Sequence, residues 1–251
     1  MLGKGKQKYL TSLQQKKKRK SENKFIVEGV RAVTEGLKSD YVCEEIFFDK
    51  NAKNLDEILS LAGKKKIKIT EANSLQLKKI TDTIHPQGVA ALFEIKRTQF
   101  EKAPFILALE RISDPGNLGT IIRTADWFGA KNILLSPDCV EILNPKVVRA
   151  TMGGIFHINY KIANDFAEEL RNLKKDGYEI LLADLEGTPV YEHERERKSV
   201  LVLGSEAFGP SQETKETADC KITIPKLGEA ESLNVSVAGG ILIYELTKRK
   251  D

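Results

Sequence analysis

Cysteine and histidine are scarce in this sequence of 251 residues, with three of each. Cys43, Cys139 and Cys220 lie far apart and form no C-x-x-C pair, and the histidines are equally scattered. Closely spaced ligands of these two types build most zinc sites, and paired cysteines build disulfide frameworks. We therefore expect no metal site, and the isolated cysteines favour the reducing environment of the cytoplasm.

Long apolar runs are also absent. None approaches the roughly 20 residues of a membrane-spanning helix, and the lysine-rich beginning has no apolar core like that of a signal peptide. Hydrophobic residues make up 41% of the chain and charged residues 30%, as in an ordinary globular protein. The sequence therefore predicts a soluble protein without a membrane partner.

Two common nucleotide-binding signatures are missing. The pattern G-x-G-x-x-G of dinucleotide-binding folds occurs nowhere in the chain. The G-x-x-x-x-G that begins at Gly204 is followed by Pro-Ser, where a phosphate-binding P-loop requires Lys-Ser or Lys-Thr. A dinucleotide-binding domain therefore has little support, and this loop is not a P-loop.

Positive charge is concentrated at the beginning of the chain. Residues 1–24 hold nine of the 40 Lys and Arg residues but only one of the 36 acidic residues, so the remainder is slightly acidic. Basic arms commonly bind nucleic-acid phosphates, because each contact releases a condensed counterion. We interpret residues 1–23 as a basic arm that binds nucleic acid, with a solubilising tail as the alternative.

Alternating helix and strand patterns divide the rest of the chain into two α/β domains. Residues 24–98 have short elements, and a polar stretch over residues 96–104 is the predicted linker. Residues 103–251 have longer elements, with strands such as ILLA and VLVL that are apolar throughout, as in a parallel sheet covered on both faces. The strands predicted here are 105–109, 132–136, 157–162, 178–184, 199–204 and 220–224, and the helices are 118–129, 145–153, 165–176 and 234–250.

The first of three polar stretches reads DPGNLGTIIRTADWFGA, residues 114–130. Its beginning predicts a turn, after which Asn117 is placed to cap a helix. Arg123 lies off the apolar face of that helix and early in it, where the macrodipole disfavours a cation. Arg123 is therefore a candidate site residue just after a strand, where α/β folds place ligands. A surface arginine paired with Asp126 is the alternative.

Two further polar stretches follow predicted strands. Residues 203–210, LGSEAFGP, place a glycine and a glutamate where a ligand can approach the backbone, although a tight turn alone would also explain the glycines. Residues 224–228, IPKLG, precede Ser232-Leu233-Asn234 at the beginning of the last helix. Ser232 or Asn234 is expected to cap it. Gly239-Gly240 inside this helix indicates close approach of the backbone to another helix or to a ligand, because each glycine costs about 1 kcal/mol relative to alanine.

These three stretches, in this order, resemble the three motifs of the SpoU (TrmH-type) RNA 2′-O-ribose methyltransferases of the SPOUT superfamily. They match as N-x-x-x-x-x-R, as LVLGSE, and as IP-x-x-G-x-x-x-SLNVSVA-x-GI-x-x-YE. Residues 105–251 resemble the catalytic domain throughout. Residues 25–95 resemble, more loosely, the substrate-binding domain related to ribosomal protein L30e that precedes it in many members.

The resemblance implies a parallel α/β sheet whose C-terminal part forms a deep trefoil knot, S-adenosylmethionine bound inside the knot, and a homodimer. It implies an RNA substrate, with ribosomal RNA favoured over transfer RNA. By match to motif positions, Leu203, Gly204, Ile224, Pro225 and Leu233 would bind the cofactor. Asn117, Arg123, Glu206, Ser232 and Asn234 would line the catalytic site.

One position departs from the family pattern. Members usually have glycine after the glutamate of the second motif, and here it is Ala207, followed by the bulky Phe208. An RNA-binding protein of the same fold that acts in ribosome assembly without catalysis therefore stays open. A SPOUT enzyme that modifies a base is a separate alternative, and the pair of Asn117 and Arg123 in the first motif favours ribose over a base. The role of Arg123 is also open between a general base and an electrostatic clamp, which we favour because arginine stays protonated in proteins.

Overall fold

The structure is a computed structural model that describes residues 1–96, 99–194, 198–205 and 208–248. The chain divides into two compact units. The first contains Met1–Arg97 together with Glu141–His157, and the second contains Thr98–Val140 together with Ile158–Asp251. Within the described ranges, no helix is long and apolar enough to cross a membrane.

Helices and strands alternate along the chain. The described helices are α1 Lys4–Ser12, α2 Lys16–Glu22, α3 Val30–Lys38, α4 Asp56–Lys65, α5 Ser74–Thr81, α6 Pro115–Trp127, α7 Pro145–Ala150, α8 Phe166–Lys175, α9 Gln212–Thr217 and α10 Val235–Thr247. The strands are β1 Lys24–Glu28, β2 Cys43–Phe48, β3 Lys68–Glu71, β4 Val89–Glu94, β5 Phe105–Leu109, β6 Asn132–Leu135, β7 Asn159–Ile162, β8 Glu179–Pro189, β9 Ser199–Leu203 and β10 Cys220–Thr223.

The first unit is built on a four-stranded mixed sheet in the order β1-β4-β2-β3. Strand β4 runs antiparallel to β1 and β2, and β3 runs parallel to β2. The ring of Phe156 packs 5.0 Å from the rings of both Phe93 and Tyr41. This aromatic cluster explains why Glu141–His157 belongs to the first unit, whereas the sequence predicted one continuous domain from residue 103 to residue 251.

The basic N-terminal segment is folded onto the first unit. Leu10 and Leu13 are buried in its core, so the segment is not the separate arm that the sequence predicted. Arg19 is only 2% exposed; it pairs with Glu141 and donates hydrogen bonds to the carbonyl oxygens of Leu13 and Gln14, both at 2.7 Å. The lysines of α2 face outward: Lys16, Lys17, Lys18 and Lys20 are exposed. The charge therefore covers one surface of a folded element.

The second unit is a six-stranded sheet in the order β10-β8-β9-β5-β6-β7. Every neighbouring pair is parallel, which confirms the predicted α/β class and the parallel sheet. Strands β5, β6 and β9 are buried at every residue, because apolar side chains cover both faces of the sheet. All carboxyl ends therefore lie at one edge, and the polar stretches that follow β5, β9 and β10 converge there.

Two features of this edge were not predicted. Strand β8 continues to Pro189, five residues beyond the predicted end at residue 184, and its pairing with β10 shifts between Lys221 and Ile222. An added Cβ at Gly187 would lie 2.6 Å from the carbonyl oxygen of Lys221, so the two strands approach more closely than a side chain allows. The short polar helix α9 gave no apolar periodicity that would have predicted it.

Candidate active site

Helix α6 begins three residues earlier than predicted, at Pro115. Asp114 is its N-cap, and its Oδ1 accepts a hydrogen bond from the backbone N–H of Asn117 at 2.7 Å. Proline at the first helical position needs no hydrogen-bond donor, which suits this boundary. The prediction that Asn117 caps the helix is therefore wrong, and the Asn117 side chain does not serve as the cap.

Arg123 lies eight residues after Pro115 in a helix of 13 residues, so it is not early in the helix and the macrodipole argument does not apply. The predicted apolar stripe is buried, while Arg123 is exposed. Within the described ranges, Arg123 forms no ion pair with Asp126 or with any other residue. Its guanidinium group is thus available to an anionic ligand.

The first and third motifs meet at the amide of Asn234. Its Oδ1 accepts a hydrogen bond from the backbone N–H of Ser236 at 2.9 Å, so Asn234, and not the other candidate Ser232, caps α10. Its Nδ2 donates a hydrogen bond to Oδ1 of Asn117 at 3.0 Å. The beginning of α10 is therefore joined to the first turn of α6.

A close approach of α10 to the sheet explains one of its two glycines. An added Cβ at Gly239 would lie 2.8 Å from Cδ1 of Leu203, the last residue of β9. A Cβ added at Gly240 would lie 3.6 Å from Cγ2 of Thr124, which is an ordinary van der Waals contact. A close approach therefore occurs at Gly239, but its neighbour is a strand residue and not the helix or ligand that was predicted; it brings the third motif against the second.

A cavity of about 510 Å³ lies at this carboxyl edge of the sheet. Its described lining comes mainly from residues 183–185 of β8, from residues 203–205, 209 and 210 at and after the end of β9, and from residues 222–228, 230–233 and 235 at and after the end of β10. All five predicted cofactor residues line it, namely Leu203, Gly204, Ile224, Pro225 and Leu233, and so does Ser232. Asn234 follows the lining residue Leu233, whereas Asn117 and Arg123 are not among the described lining residues.

The described ends of the second motif meet at the cavity. The backbone N–H of Gly209 donates to the carbonyl oxygen of Ser205 at 2.8 Å, and Gly209 has φ +63°, which favours glycine. An added Cβ at Gly204 would lie 2.8 Å from the nitrogen of Pro210, so this close approach requires glycine at position 204. Glu206, a predicted catalytic residue, and Ala207, the departure from the family pattern, lie outside the described residues.

The segment from Pro225 to Leu233 is exposed along its whole length. None of its residues forms a hydrogen bond to another residue in the part of the chain that the structure describes. Leu227 is 100% exposed. The peptide N–H and C=O groups of this cavity wall are therefore free to bind a ligand.

Sequence reasoning missed two carboxylates that shape the site. Glu110 is 4% exposed and accepts a hydrogen bond from the backbone N–H of Ser211 at 3.1 Å, which holds the beginning of α9 against the end of β5. Asp184 lines the cavity and pairs with Lys221 at 3.0 Å. Burial alone would raise the pKa of Asp184, but the N–H of Glu186 and the ammonium of Lys221 lower it below its usual value. The available signal was a carboxylate beside an apolar run: Glu110 directly follows β5, and Asp184 follows the apolar run of residues 180–183 within β8.

The described residues contain no group of three His, Cys, Asp or Glu side chains placed to hold a metal ion. The site consists of a backbone-lined cavity, an arginine that forms no ion pair with a described residue, and two linked amides at the carboxyl edge of a parallel sheet. This is the arrangement of an α/β enzyme that binds a small organic cofactor beside an anionic substrate.

Comparison with known proteins identifies the family. The model of the SpoU rRNA Methylase family matches residues 104–244, and that of the MRM3-like substrate binding domain matches residues 5–91. A 23S rRNA (guanosine(2553)-2′-O)-methyltransferase of Bacillus subtilis (strain 168), RlmP, is 32% identical over 93% of this chain and 92% of its own length. The chain belongs to the SpoU rRNA methylase family, as its three motifs predicted.

Solved structures agree with this assignment. A TrmH-family protein from Porphyromonas gingivalis superposes with a TM-score of 0.87 at 31% identity, covering 98% of each chain. An AdoMet-bound rRNA methyltransferase from Sinorhizobium meliloti superposes with a TM-score of 0.84 at 28% identity, covering 98% of this chain and 95% of its own. The likeness therefore extends over both units.

Proposed function

We propose that this protein transfers the methyl group of S-adenosylmethionine to a ribose 2′-hydroxyl in structured RNA, with ribosomal RNA as the favoured substrate. Membership of the SpoU family supports the reaction class. The observation that carries the proposal is the hydrogen bond from Asn234 to Asn117, because it joins two motifs beside a cavity lined by the five predicted cofactor residues.

The cavity fits the cofactor in size and chemistry. Its volume of about 510 Å³ lies within the range of about 300–1,000 Å³ that is typical of small-molecule sites. Apolar side chains such as Leu203 and Val235 can cover the adenine ring, and the peptide groups of Pro225–Leu233 can bind its polar edge. When bound, the cofactor supplies a methyl group activated by the sulfonium charge.

The chain's own residues would then position the RNA. We propose that Arg123 holds a phosphate next to the target ribose and stabilises the oxyanion that develops as the 2′-hydroxyl gives its proton to solvent water and its oxygen takes up the methyl group. Its exposure and its lack of an ion pair within the described ranges support this role. Asn117, Ser232 and Asn234 would orient the nucleotide, because alignment for in-line attack supplies much of the rate of such transfers. For Glu206, the catalytic role stays a prediction from the motif.

The first unit and the N-terminal helices would select the RNA. Residues 5–91 match a substrate-binding domain, and the exposed lysines of α2 provide a surface that attracts phosphates. The names of relatives such as RlmP support ribosomal RNA as the substrate class.

We also propose a homodimer that uses α6 and α10. Trp127 is 81% exposed on α6, and Val237, Ile241 and Tyr244 on α10 are 51%, 38% and 49% exposed. A run of large apolar side chains along neighbouring helices is typical of a protein–protein interface. Sedimentation equilibrium of the wild type and of Trp127→Glu tests it, with a dimer expected only for the wild type. The trefoil knot and the cytoplasmic location stay predictions.

Two measurements test the function against its rivals. Isothermal titration with S-adenosylmethionine should give saturable binding, whereas a purely RNA-binding protein would give none. Nuclease digestion of RNA methylated in vitro should then yield nucleosides that carry the new methyl group on ribose. A methyl group on the base would support the base-modifying alternative instead.

A further inference from the structure

Four charged side chains line the described part of the cavity: Asp184, Lys215, Lys226 and Glu231. Asp184 already pairs with Lys221 at 3.0 Å. The other three are exposed, and none of them forms an ion pair with another residue that the structure describes. The cavity thus offers a ligand two ammonium groups and one carboxylate.

These three side chains come from two walls of the cavity. Lys215 lies on α9, whose beginning is fixed because the backbone N–H of Ser211 binds the buried Glu110 at 3.1 Å. Thr214, next to Lys215, is fully buried and anchors the helix. Lys226 and Glu231 lie on the exposed segment after β10. A ligand in the cavity can therefore be held between a fixed helix and a segment that has no hydrogen bonds to other described residues.

We propose that Lys215 and Lys226 bind the α-carboxylate of S-adenosylmethionine and that Glu231 binds its α-ammonium group. The inference rests on the proposed function and adds residues that the three motifs do not assign. The amino-acid end of the cofactor carries one negative and one positive group, which complement two lysines and one glutamate. A phosphate of RNA is purely anionic and would be repelled by Glu231, so the mixed charge favours the cofactor.

The test compares three ligands that share the 5′-thioadenosine part. S-Adenosylmethionine has both groups, and decarboxylated S-adenosylmethionine keeps only the ammonium. 5′-Methylthioadenosine lacks both groups, the chain that carries them and the sulfonium charge. Isothermal titration measures their affinities for the full-length wild type and for Lys215→Met, Lys226→Met, the double lysine variant and Glu231→Gln. Methionine keeps the length and apolar stem of lysine without its charge. Lys131→Met is the matched control, because Lys131 is an exposed lysine of the same unit that does not line the cavity.

The expected pattern separates the two charges. The double lysine variant should bind S-adenosylmethionine about tenfold more weakly, as befits charge-assisted hydrogen bonds, with the decarboxylated ligand and methylthioadenosine unaffected. Glu231→Gln should weaken both ligands that carry the ammonium and leave methylthioadenosine unchanged. Lys131→Met should bind all three like the wild type.

Three results would overturn the inference. Equal losses for all three ligands would mean that the variants only disturb the cavity. If the lysine variants kept their affinity for S-adenosylmethionine but had a raised KM for RNA, the lysines would bind an RNA phosphate and not the cofactor. A wild type that methylates RNA but binds decarboxylated S-adenosylmethionine as tightly as the complete cofactor would contradict carboxylate recognition while leaving the proposed function intact. If the proposed function itself were wrong, the wild type would bind no cofactor, and this outcome is distinct from the three results above.

Discussion

The side-chain amide of Asn234 donates a hydrogen bond to Oδ1 of Asn117 at 3.0 Å, across 117 positions of sequence. The same side chain caps α10 through Ser236. Asn234 therefore has a structural role and a positioning role at once, and a single substitution can separate them. Aspartate is as good an N-cap as asparagine, but an ionised carboxylate cannot donate a hydrogen bond to Asn117.

We expect Asn234→Asp to fold like the wild type and to lose most of its methyl transfer, because it keeps the cap but loses the link to Asn117. Asn234→Ala should lose both, with a free energy of unfolding lower by about 1 kcal/mol. Thermal unfolding and initial rates of methylation measure the two effects. An aspartate variant that is as active as the wild type would show that the link is dispensable.

Arg123 should matter for catalysis but not for stability. Because its side chain is exposed and forms no ion pair within the described ranges, Arg123→Ala should change the free energy of unfolding by less than about 0.5 kcal/mol. Its kcat should fall by about 10²–10³-fold, the usual effect of removing one group that stabilises a developing oxyanion. Arg123→Lys tests the guanidinium itself. If Arg123→Lys kept nearly full activity, the reaction would not require the paired N–H donors that a guanidinium holds in fixed geometry.

Alanine substitutions at Gly239 and at its neighbour Gly240 test the contact between α10 and β9, because only Gly239 lies against β9. The added methyl of Gly239→Ala would meet Cδ1 of Leu203 at 2.8 Å, so the end of the Leu203 side chain must shift, and the variant should not show the helix stabilisation expected of alanine. Because Leu203 lines the cavity, its displacement should also weaken S-adenosylmethionine. Gly240→Ala meets only an ordinary contact and should stabilise the helix by up to about 1 kcal/mol. Urea unfolding and cofactor titration compare the two, and equal behaviour would refute the close approach.

The exposed lysines of α2 should contribute to RNA binding without supporting the fold. Replacing Lys16, Lys17, Lys18 and Lys20 together by alanine should weaken RNA binding and flatten its dependence on salt, because fewer counterions are released. Deleting residues 1–20 would be a poorer test, since it also removes the buried Leu10 and Leu13. Affinities measured between 50 and 200 mM salt, roughly the range over which phosphate contacts weaken, provide the slope. If the slope of RNA affinity against salt concentration did not change, the lysines of α2 would not be part of the RNA-binding site.

Arg19 provides the control within the same helix. Its guanidinium is buried with Glu141, so Arg19→Ala would leave a carboxylate without its partner and should cost about 3–5 kcal/mol of stability. The salt dependence of RNA binding by the folded fraction should stay close to that of the wild type. Thermal unfolding followed by circular dichroism measures the first effect. A stable Arg19→Ala protein would contradict the structural role of this residue.

The motifs and the parallel sheet were predictable because they are local patterns. Apolar strands such as β9 and the spacing from Asn117 to Arg123 can be read directly from the sequence. Asp114 and Asn117 are both good caps one turn apart, so only the observed hydrogen bond decides where α6 begins. The N-terminal segment packs on the first unit through Leu10 and Leu13. Two leucines among many lysines give too weak an apolar pattern to predict this packing. The place of Glu141–His157 depends on Phe156 meeting Phe93, a contact between distant residues that periodicity does not reveal.

The most direct test of the central proposal is to map ribose 2′-O-methylation in total RNA from a strain that lacks this protein. Its parent and two complemented strains, one with the wild-type gene and one with Arg123→Ala, are mapped beside it. We predict that one ribosomal RNA position loses its 2′-O-methyl group in the deletion strain, that the wild-type gene restores it, and that the Arg123→Ala gene does not. Identical 2′-O-methylation maps in the deletion strain and its parent would contradict the account.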